Sequence, residues 1–369
     1  MCGVALSQIR GLTEIFTASL HTIFVRCSLD ERSHIMAKMT ILGSGGFGLS
    51  LALTAWKTGR HQVVVWSKFQ EEIDAIRADG EHKQKLPGVK IPEEIQLTSD
   101  ISCIQGSDIL VFGIPSSFLR SVAKMAKPYV DEKMIVVNSG KGIEDGSLKL
   151  LSSVITDELG TDRLVVLSGP SHAEEVARSI PTTMVAASKD RGAAEFVREQ
   201  FASTCLRIYL NDDVIGCELG GALKNIIALC CGICDGMGYG DNTKAALMTR
   251  GIHEIARLGV AAGAKERTFG GLTGIGDLIV TCTSVHSRNA RAGKLIGQGM
   301  TPKEAVEQVG TVEGYCCCSA AYELAKRLGV EMPITEQLNK VLFHGGDARE
   351  SIKALMIRPM VDEQEELDR

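Results

Sequence analysis

The sequence predicts an α/β protein, with a doubly wound, mostly parallel sheet at the amino-terminal side and an all-helical carboxyl-terminal domain after it. A glycine-rich turn stands between a strand pattern and a helix pattern near residue 43. Short apolar runs then alternate with helix patterns as far as about residue 211, whereas only helix patterns follow Asp213. Continuous apolar strands that alternate with helices are typical of parallel sheets covered by helices on both faces.

The first elements form a strand–turn–helix–strand unit. Met39–Leu42 is a short apolar run, Leu49–Trp56 has the pattern of a helix, and His61–Trp66 is a second strand pattern. Such a unit of about 30 residues is the building block of parallel sheets. Further strands are predicted at Ile109–Ile114, Met134–Asn138, Leu164–Ser168 and Thr182–Ala187, with helices at Phe118–Ala126 and Leu148–Leu159.

The turn after the first strand has the spacing Gly43-x-Gly45-x-x-Gly48. In dinucleotide-binding folds the first glycine allows a tight turn and the second lets the backbone approach the pyrophosphate, while the third permits close helix–strand packing. The motif is weak alone, but here a strand precedes it and a helix follows it. We therefore predict a Rossmann-like dinucleotide-binding domain over residues 39–211. A glycine turn without a ligand is the alternative.

Helix patterns alone fill the second part of the chain. They predict a helical substrate-binding domain over residues 212–357, with helices at Gly216–Ile233, Thr243–Ala262, Arg291–Gly297, Pro302–Val309, Ser319–Leu328 and Thr335–Leu342.

The end of the second strand bears on the choice of cofactor. A carboxylate there would accept hydrogen bonds from the ribose of NAD, but the chain has Ser67 and Lys68, with no acid before Glu71. A hydroxyl and a cation suit the 2′-phosphate of NADP, unless Lys68 is simply a solvated surface lysine. The predicted cofactor is therefore NAD or NADP.

Composition limits the classes of function. The chain has 369 residues, of which 44% are hydrophobic and 23% charged, as in ordinary globular proteins. Its net charge of −5 argues against general nucleic-acid binding. The 12 cysteines lack the spacing of a secreted disulfide scaffold, which indicates reduced thiols in a cytosolic compartment. No second spaced pair accompanies Cys231-Gly-Ile-Cys234, since Cys316–Cys318 is contiguous, so we predict no metal.

The two ends of the chain stand apart. Residues 1–38 include a moderately apolar run, Leu12–Val25, that is shorter than the roughly 20 residues of a membrane span. We favour a true start at Met36 or Met39, or a disordered extension, over a targeting peptide, and expect no stable membrane insertion. The acidic tail at 358–369 is expected to fray.

Two polar segments follow predicted strands, at the sheet edge where open parallel sheets place ligands. Lys141 stands between two glycines after the run that ends at Asn138, and Ser168-Gly169-Pro170-Ser171 ends the next run. A lysine there could approach a substrate closely, and the amides and hydroxyl of the second segment could bind a substrate oxygen. Taken alone, either segment could be a plain turn.

Three polar groups stand out in the helical part. Lys224 lies inside the apolar run Leu219–Cys231, where burial would lower its pKa toward neutrality and suit a general base. The alternative is a lysine whose stem reaches solvent. Asp277, on a glycine turn, is a possible partner. Ser287-Arg288-Asn289 opens a helix pattern, which is either a phosphate seat or an ordinary helix cap with a surface arginine.

Together these segments resemble the bacterial-type NAD(P)-dependent glycerol-3-phosphate dehydrogenase family. The resemblance extends from Met39 to about Leu355 and includes, in order, Gly43–Gly48, Lys141-Gly142, Ser168–Ser171, Leu219–Asn225, Gly274–Leu278, His286–Asn289, Val312–Tyr315 and Glu331–Thr335.

The resemblance implies roles for the matching residues. Lys224 would be the proton acceptor, with Lys141 and Asp277 beside it as catalytic groups. The substrate would be surrounded by Lys141, Gly169, Ser171, Lys224, Asp277, Ser287, Arg288 and Asn289. The cofactor would contact Gly43, Gly45, Gly46, Phe47, Gly48, Lys68, Lys141, Ala173, Arg288 and Glu313.

The resemblance also implies a cytoplasmic homodimer that reduces dihydroxyacetone phosphate to sn-glycerol 3-phosphate for glycerophospholipid synthesis. Some residues depart from the family pattern. Ser44 and Phe47 replace an alanine and a larger aromatic residue, and Ser67-Lys68 leaves the NAD or NADP preference open. The run Cys316–Cys318 is unusual and predicts sensitivity to oxidation.

The chemistry of alcohol oxidation gives a mechanistic hypothesis. Neutral Lys224, held by Asp277 and influenced by Lys141, takes the hydroxyl proton while the carbinol hydride goes to the nicotinamide. Arg288 and Asn289 hold the phosphate, so that its binding energy orients the reacting carbon. One rival hypothesis is a dehydrogenase of another hydroxy acid on the same two domains. Another is a dinucleotide sensor without turnover.

Overall fold

An eight-stranded sheet organises the amino-terminal part of the described chain, in a computed structural model that describes residues 37–360. Its strands are β1 (Lys38–Leu42), β2 (Gln62–Trp66), β5 (Gln96–Thr98), β6 (Ile109–Phe112), β7 (Ile135–Asn138), β8 (Leu164–Ser168), β9 (Thr182–Ala187) and β10 (Leu206–Asn211). A separate antiparallel hairpin pairs β3 (Glu81–His82) with β4 (Leu86–Lys90). The predictions made for residues 1–36 and 361–369 lie outside the described residues.

The order of the strands is β10-β9-β8-β7-β6-β1-β2-β5. Neighbouring strands run parallel except for the antiparallel pair β8–β9. From β5 to β8 this is the strand order of dinucleotide-binding folds, and it places the topological switch point between β1 and β6. The predicted mostly parallel sheet is confirmed.

Helices cover both faces of the sheet. They are α1 (Gly46–Lys57), α2 (Gln70–Asp79), α3 (Leu119–Ala126), α4 (Leu151–Leu159), α5 (Ala173–Ala177) and α6 (Arg191–Phe201). Ile41 of β1 joins an apolar cluster with α1 and α6, whereas the next residue, Leu42, joins a second cluster with α3 and α4. Successive strand residues point to opposite faces, so these apolar runs require burial on both sides. The doubly wound arrangement is thereby confirmed.

The region after Asp213 is helical throughout its described length. Its helices are α7 (Val214–Gly236), α8 (Asp241–Ala261), α9 (Glu266–Phe269), α10 (Asp277–Thr283), α11 (Arg288–Gly297), α12 (Pro302–Val309), α13 (Glu313–Leu328), α14 (Pro333–Phe343) and α15 (Ala348–Met356). A short π-helical turn, Leu272–Gly276, leads into α10. The Asp213 carboxylate begins α7 by accepting hydrogen bonds from the Gly216 and Lys265 amides at 2.9 and 2.8 Å.

Helix α7 forms the axis of this region. Among the described helices it is the one long and apolar enough to cross a membrane by itself, and 83% of that apolar window is buried within the protein. Glycines allow α11 to approach it closely, because a Cβ at Gly232 would lie 2.2 Å from the Ala290 carbonyl oxygen. A Cβ at Gly293 would lie equally close to the Leu229 oxygen. This close approach brings the N-terminus of α11 beside the middle of α7.

Some predicted boundaries were wrong. The helix expected from Ser319 begins at Glu313. The helix expected over Arg291–Gly297 begins at Arg288, where the segment Ser287-Arg288-Asn289 was also expected to open a helix. Polar residues that face the site interrupt the apolar pattern of these first turns, so periodicity alone placed the starts too late. The division into two domains at residue 211 stays a prediction, since the described residues fall within one compact unit.

Candidate active site

The turn Gly43–Gly48, called the glycine turn below, lies at the switch point between β1 and β6. Gly43 has a φ of +119°, and a Cβ there would lie 2.5 Å from the Gly113 carbonyl oxygen. A Cβ at Gly48 would lie 2.1 Å from the Gly43 oxygen, where α1 crosses the end of β1. These two positions therefore need glycine for the turn and for its packing, as the spacing predicted.

The beginning of α1 is shaped for an anionic group. Gly45 is its N-cap, no side chain caps it among the described residues, and a Cβ at Gly45 would meet no atom within 4 Å. The first amides of a helix lack partners within the helix and form the positive end of its dipole. An open approach to these amides fits the pyrophosphate of a dinucleotide.

Two further predicted cofactor residues lie at this turn. A Cβ at Gly46 would lie 3.5 Å from the Ala173 Cβ, which places the start of α5 beside the start of α1. Phe47 is partly buried against the apolar cluster that contains Ile41 and the residues of α1 and α6. The same Gly46 position is 2.7 Å from the Lys85 carbonyl oxygen, so the β3–β4 hairpin lies across the turn.

The end of β2 corrects one part of the sequence interpretation. Ser67 is buried and Lys68 is exposed, as a solvated surface lysine would be. The expectation that this strand end lacks an acid was wrong. Glu72, in the first turn of α2, reaches back so that its Oε2 accepts a hydrogen bond of 2.6 Å from Ser67 Oγ. The helical turn shortens the path from Glu72 to the strand, which the linear spacing concealed.

At the carboxyl ends of β7 and β8 the structure brings Lys141 and the Gly169 segment together. Lys141 Nζ donates to the Gly169 carbonyl oxygen at 3.0 Å, and Ser171 Oγ donates to the same oxygen at 2.9 Å. The stem of Lys141 lies along α7, since a Cβ at Gly221 would be 3.5 Å from its Cγ. Both segments are thus more than plain turns.

The predicted catalytic residues Lys141, Lys224 and Asp277 form one group with Thr281, called the lysine cluster below. Lys224 Nζ lies 3.0 Å from Asp277 Oδ1, and Lys141 Nζ lies 2.5 Å from Asp277 Oδ2. One carboxylate therefore bridges two ammonium groups. Gly220 permits the approach of Asp277, since a Cβ there would lie 2.5 Å from the Thr273 carbonyl oxygen in the turn before α10.

Lys224 is buried, with 6% of its side chain exposed, and does not reach solvent by its stem. Its ammonium also donates to Thr281 Oγ1 at 2.6 Å and to Asn225 Oδ1 at 3.3 Å. Burial lowers the pKa of Lys224, Asp277 acts in the opposite direction, and the Lys141 charge lowers it further. Lys224 can therefore exchange a proton at a lower pH than an exposed lysine.

A chain of side-chain amides connects α7, α11 and α13. Asn289 Nδ2 donates to Asn225 Oδ1 at 2.9 Å, and Asn225 Nδ2 donates to Glu313 Oε2 at 3.2 Å. The Gly314 amide donates to Asn289 Oδ1 at 2.8 Å. Both ends of the Asn289 amide are therefore engaged, which holds the start of α11 in place beside Lys224.

The other residues of this helix start differ in exposure. Ser287 is buried and is the N-cap of α11, because its Oγ accepts from the Ala290 amide at 3.2 Å. Arg288, the first residue of α11, is exposed. The cap and the exposed guanidinium are both present, so the two predicted interpretations are compatible, and an anion at this helix start would meet Arg288 from the solvent side.

Sequence reasoning missed several polar residues of the site. Thr281 lies one helical turn after Asp277, and its Oγ1 donates to the Asp277 carbonyl oxygen at 2.6 Å. The spacing of four residues could have indicated it, had α10 been predicted. His172, which follows Ser171, has its pKa lowered by burial and then by the Lys224 charge.

Ser168 is a further polar residue that was not assigned a role of its own. Its Oγ is buried and has no hydrogen-bond partner among the described residues. The hydroxyl lies against α7, where a Cβ at Gly221 would come within 2.8 Å of it. An unsatisfied buried hydroxyl beside Lys141 marks a place where a ligand or a water completes the site.

Most of the cysteines in the described part of the chain are buried. Cys231 and Cys234 are buried in α7, and of the run Cys316–Cys318 only Cys316 is exposed. Within the described residues, no group of three or more His, Cys, Asp or Glu side chains is arranged to hold a metal ion.

Comparison with known proteins adds an independent finding. Family models described as the N-terminus and C-terminus of NAD-dependent glycerol-3-phosphate dehydrogenase match residues 38–194 and 213–353. A protein of Desulfitobacterium hafniense called glycerol-3-phosphate dehydrogenase [NAD(P)+] is 48% identical over 333 residues, which cover 90% of this chain and 94% of that protein. A relative from Moorella thermoacetica with the same name is 49% identical, covering 89% and 98%.

A solved structure agrees with these sequence matches. The crystal structure of glycerol-3-phosphate dehydrogenase from Coxiella burnetii is 36% identical to this chain, with a TM-score of 0.84. The match covers 88% of this chain and 99% of the Coxiella chain. Both halves of the fold are therefore shared with it.

Proposed function

The chain belongs to the NAD-dependent glycerol-3-phosphate dehydrogenase family, and from that membership we propose how its own residues carry the reaction. It is an NAD(P)-dependent oxidoreductase that interconverts dihydroxyacetone phosphate and glycerol 3-phosphate. This activity replaces both rival hypotheses, the dehydrogenase of another hydroxy acid and the sensor without turnover. The nicotinamide, when bound, supplies or accepts the hydride.

Lys224 is the proton-transferring residue in this proposal. Its three acceptors, Asp277 Oδ1, Thr281 Oγ1 and Asn225 Oδ1, account for the three N–H bonds of an ammonium group. The free enzyme is thus prepared to give a proton to the ketone oxygen of dihydroxyacetone phosphate. Loss of that proton leaves a neutral amine, which the lowered pKa of Lys224 favours and which can take the hydroxyl proton in the reverse direction.

Asp277 and Lys141 set the electrostatics of this transfer. Two ammonium groups share one carboxylate, so the lysine cluster carries a net positive charge when both lysines are protonated. That charge attracts a phosphorylated substrate and makes release of a proton from Lys224 easier. Lys141, which is only partly buried, is placed to contact the substrate together with Gly169 and Ser171.

We assign the phosphate of the substrate to the start of α11. Ser287 caps this helix, Asn289 is fixed by the amide chain to Asn225, and Arg288 is the exposed cation. A helix N-terminus and a guanidinium together favour a phosphate dianion. Binding of the phosphate there would hold the reacting carbon in position near Lys224.

The cofactor lies, in this proposal, along the glycine turn and across the strand ends. The open amides after Gly45 hold the pyrophosphate, beside Gly43, Gly46, Phe47, Gly48 and Ala173. Lys68 faces the adenosine end, and Lys141, Arg288 and Glu313 face the nicotinamide end. A cytoplasmic homodimer that supplies glycerol 3-phosphate to glycerophospholipid synthesis completes the proposal.

The rate at which the variant Lys224→Met reduces dihydroxyacetone phosphate tests the assignment of Lys224 as the proton-transferring residue. Lys224→Met should lower turnover about a thousandfold, because a positioned general acid contributes about a hundredfold to ten-thousandfold. Its Kd for NADH should stay within about twofold of the wild-type value, since Lys224 lies away from the glycine turn. Lys303→Met, at an exposed position of α12, is the matched control and should behave as wild type. Normal turnover in Lys224→Met would contradict the assignment.

A further inference from the structure

The carboxylate of Glu72 occupies the gap between the glycine turn and the end of β2. Its Oε2 accepts from Ser67 Oγ at 2.6 Å, and it also accepts from Ser44 Oγ. Ser44 lies between Gly43 and Gly45, whereas Ser67 is the first residue after β2. One carboxylate oxygen therefore connects the glycine turn with the end of β2.

The other oxygen of Glu72 faces the β3–β4 hairpin. Oε1 accepts from Lys85 Nζ at 2.7 Å and contacts His82 Nε2 at 3.1 Å. The backbone of Lys85 also lies against Gly46 of the turn. The hairpin thus fixes the carboxylate from the opposite side, and both oxygens are held by donors from separate elements.

This carboxylate is ionised at neutral pH and is held by donors on both oxygens. Burial alone would raise the pKa of Glu72. Hydrogen bonds from Lys85, Ser44, Ser67 and His82 instead lower this pKa to about 2. Its side chain is 17% exposed, so a surface open to a ligand remains. A fixed and partly buried charge acts on a neighbouring ligand more strongly than a mobile, solvated one.

The position of Glu72 determines what it would meet. In dinucleotide-binding folds the adenosine ribose lies between the glycine turn and the end of the second strand, and an acid there accepts bonds from the ribose hydroxyls. The four donors already engage both oxygens of Glu72, so we propose that it places a fixed negative charge beside this ribose, and that this charge makes the chain prefer NAD over NADP. The inference rests on the cofactor site proposed above.

Two cationic side chains near Glu72, Lys68 and Lys85, would favour a 2′-phosphate and therefore oppose its effect on cofactor choice. Lys68 is exposed and free to turn into solvent, whereas Lys85 is paired with the Glu72 carboxylate. While Glu72 is present, a 2′-phosphate would meet an anion that is already held in place, with like charges in contact. Without the Glu72 charge, Lys85 and Lys68 would both be available to a 2′-phosphate, so the preference should change toward NADP.

Dissociation constants for NADH and NADPH, measured by nucleotide fluorescence without substrate, test this inference. Wild type should bind NADH about tenfold more tightly than NADPH, the size expected of one charged contact. Glu72→Gln should reduce that ratio by about tenfold, because the amide keeps the shape of the side chain and removes its charge. Glu71→Gln, at the exposed neighbouring position with the same change of charge, is the matched control and should stay within about twofold.

A second variant provides a test that does not depend on the folding of Glu72→Gln. Lys85→Met keeps the carboxylate and removes its cation, so it should widen the preference for NADH about threefold or more. NADPH bound as tightly as NADH by wild type, or equal ratios in Glu72→Gln and Glu71→Gln, would overturn the inference. So would a Lys85→Met variant that gains affinity for NADPH relative to NADH. If wild type bound neither nucleotide, the proposed cofactor site itself would be contradicted.

Discussion

The glycine turn of the sheet region and the lysine cluster of the helical region contribute to the site in different ways. The turn presents backbone amides, and its important positions are those with no side chain, at Gly43 and Gly48. The lysine cluster presents three charged side chains, two of them buried, from segments far apart in the sequence. In the proposed function, backbone geometry therefore supports binding of the cofactor, whereas buried charge supports proton transfer.

The two regions should also respond differently to substitution. A change at the glycine turn acts by steric contact, so its effect depends on whether the added atom meets the backbone or open solvent. A change in the lysine cluster acts through charge, and removal of Asp277 in particular leaves two ammonium groups without the carboxylate they share. Four predictions, from the largest expected effect on turnover or cofactor binding to the smallest, test this difference.

The largest effect is expected for Asp277→Asn. The change would leave Lys141 and Lys224 beside a neutral amide, with an unfavourable free energy of about 3–5 kcal/mol for broken buried pairs. Turnover should fall about a thousandfold and the thermal midpoint of unfolding should fall with it. Asp235→Asn removes a more exposed ion pair with Lys244 and should leave turnover nearly unchanged. Equal losses in both variants would remove the special role of the lysine cluster.

Alanine at two positions of the glycine turn should separate folding from binding. Gly48→Ala would place a Cβ 2.1 Å from the Gly43 oxygen, so the backbone must move and the free energy of unfolding should fall by about 2 kcal/mol or more. Gly45→Ala meets open space, so stability should be retained while NADH binding weakens by about tenfold, since the Cβ blocks the pyrophosphate. Thermal unfolding and NADH titration of both variants provide the check. Weakened stability in Gly45→Ala would contradict this interpretation.

The pH dependence of ketone reduction should report the lysine cluster. Reduction needs protonated Lys224, so its rate should fall as pH rises through the lowered pKa of Lys224, by about tenfold per pH unit above it. Lys141→Met removes a charge that lowers this pKa, so the alkaline limb should move to higher pH. The position of the limb, rather than the rate, is the quantity to compare. A limb that moves to lower pH would contradict the assignment.

The smallest effect concerns a buried acid in the helical region. Glu254 accepts from the Ile334 amide at 2.6 Å and from Thr335 at the start of α14, and burial raises its pKa to about 7. The folded protein then holds this proton more tightly than the unfolded chain. The contribution of Glu254 to the free energy of unfolding therefore falls as pH rises from about 4.5 to about 7.

Glu254→Gln should flatten this part of the stability profile, by at most about 3 kcal/mol across the window. Thermal midpoints of wild type and variant, measured between pH 5 and 8, give the comparison. Glu72 in the sheet region has its pKa lowered, so its contribution is present above about pH 4.5 and is lost as pH falls toward about 2. Parallel profiles for wild type and Glu254→Gln would contradict the difference between the two acids.

The sequence was most informative where function depends on local backbone. The strand before Gly43 and the helix after Gly48 were both visible as patterns, and the positions that must be glycine followed from the turn itself. Lys141 was found because strand ends share one edge of a parallel sheet. Lys224 was found because a charge inside an apolar helix requires a partner or a function.

Other features depend on contacts between distant segments and left little signal in the sequence. Glu72 contacts Ser44 and the β3–β4 hairpin, whose first strand has only two residues. Asn225 meets Glu313, 88 residues later in the chain. Asp277 could be proposed as a partner of Lys224, but its bridge to Lys141 follows only from the packing of α10 against α7. The resemblance to a known family supplied the roles that local patterns could not.

The most direct test of the separation between binding and proton transfer is to measure NADH dissociation and single-turnover reduction side by side on Lys224→Met and Gly45→Ala. We predict that Lys224→Met binds NADH as wild type does and loses the single-turnover rate. We expect Gly45→Ala to bind NADH about tenfold more weakly yet to reduce the ketone within about threefold of the wild-type rate at saturating NADH. Weakened NADH binding in Lys224→Met, or a lost saturated rate in Gly45→Ala, would contradict it.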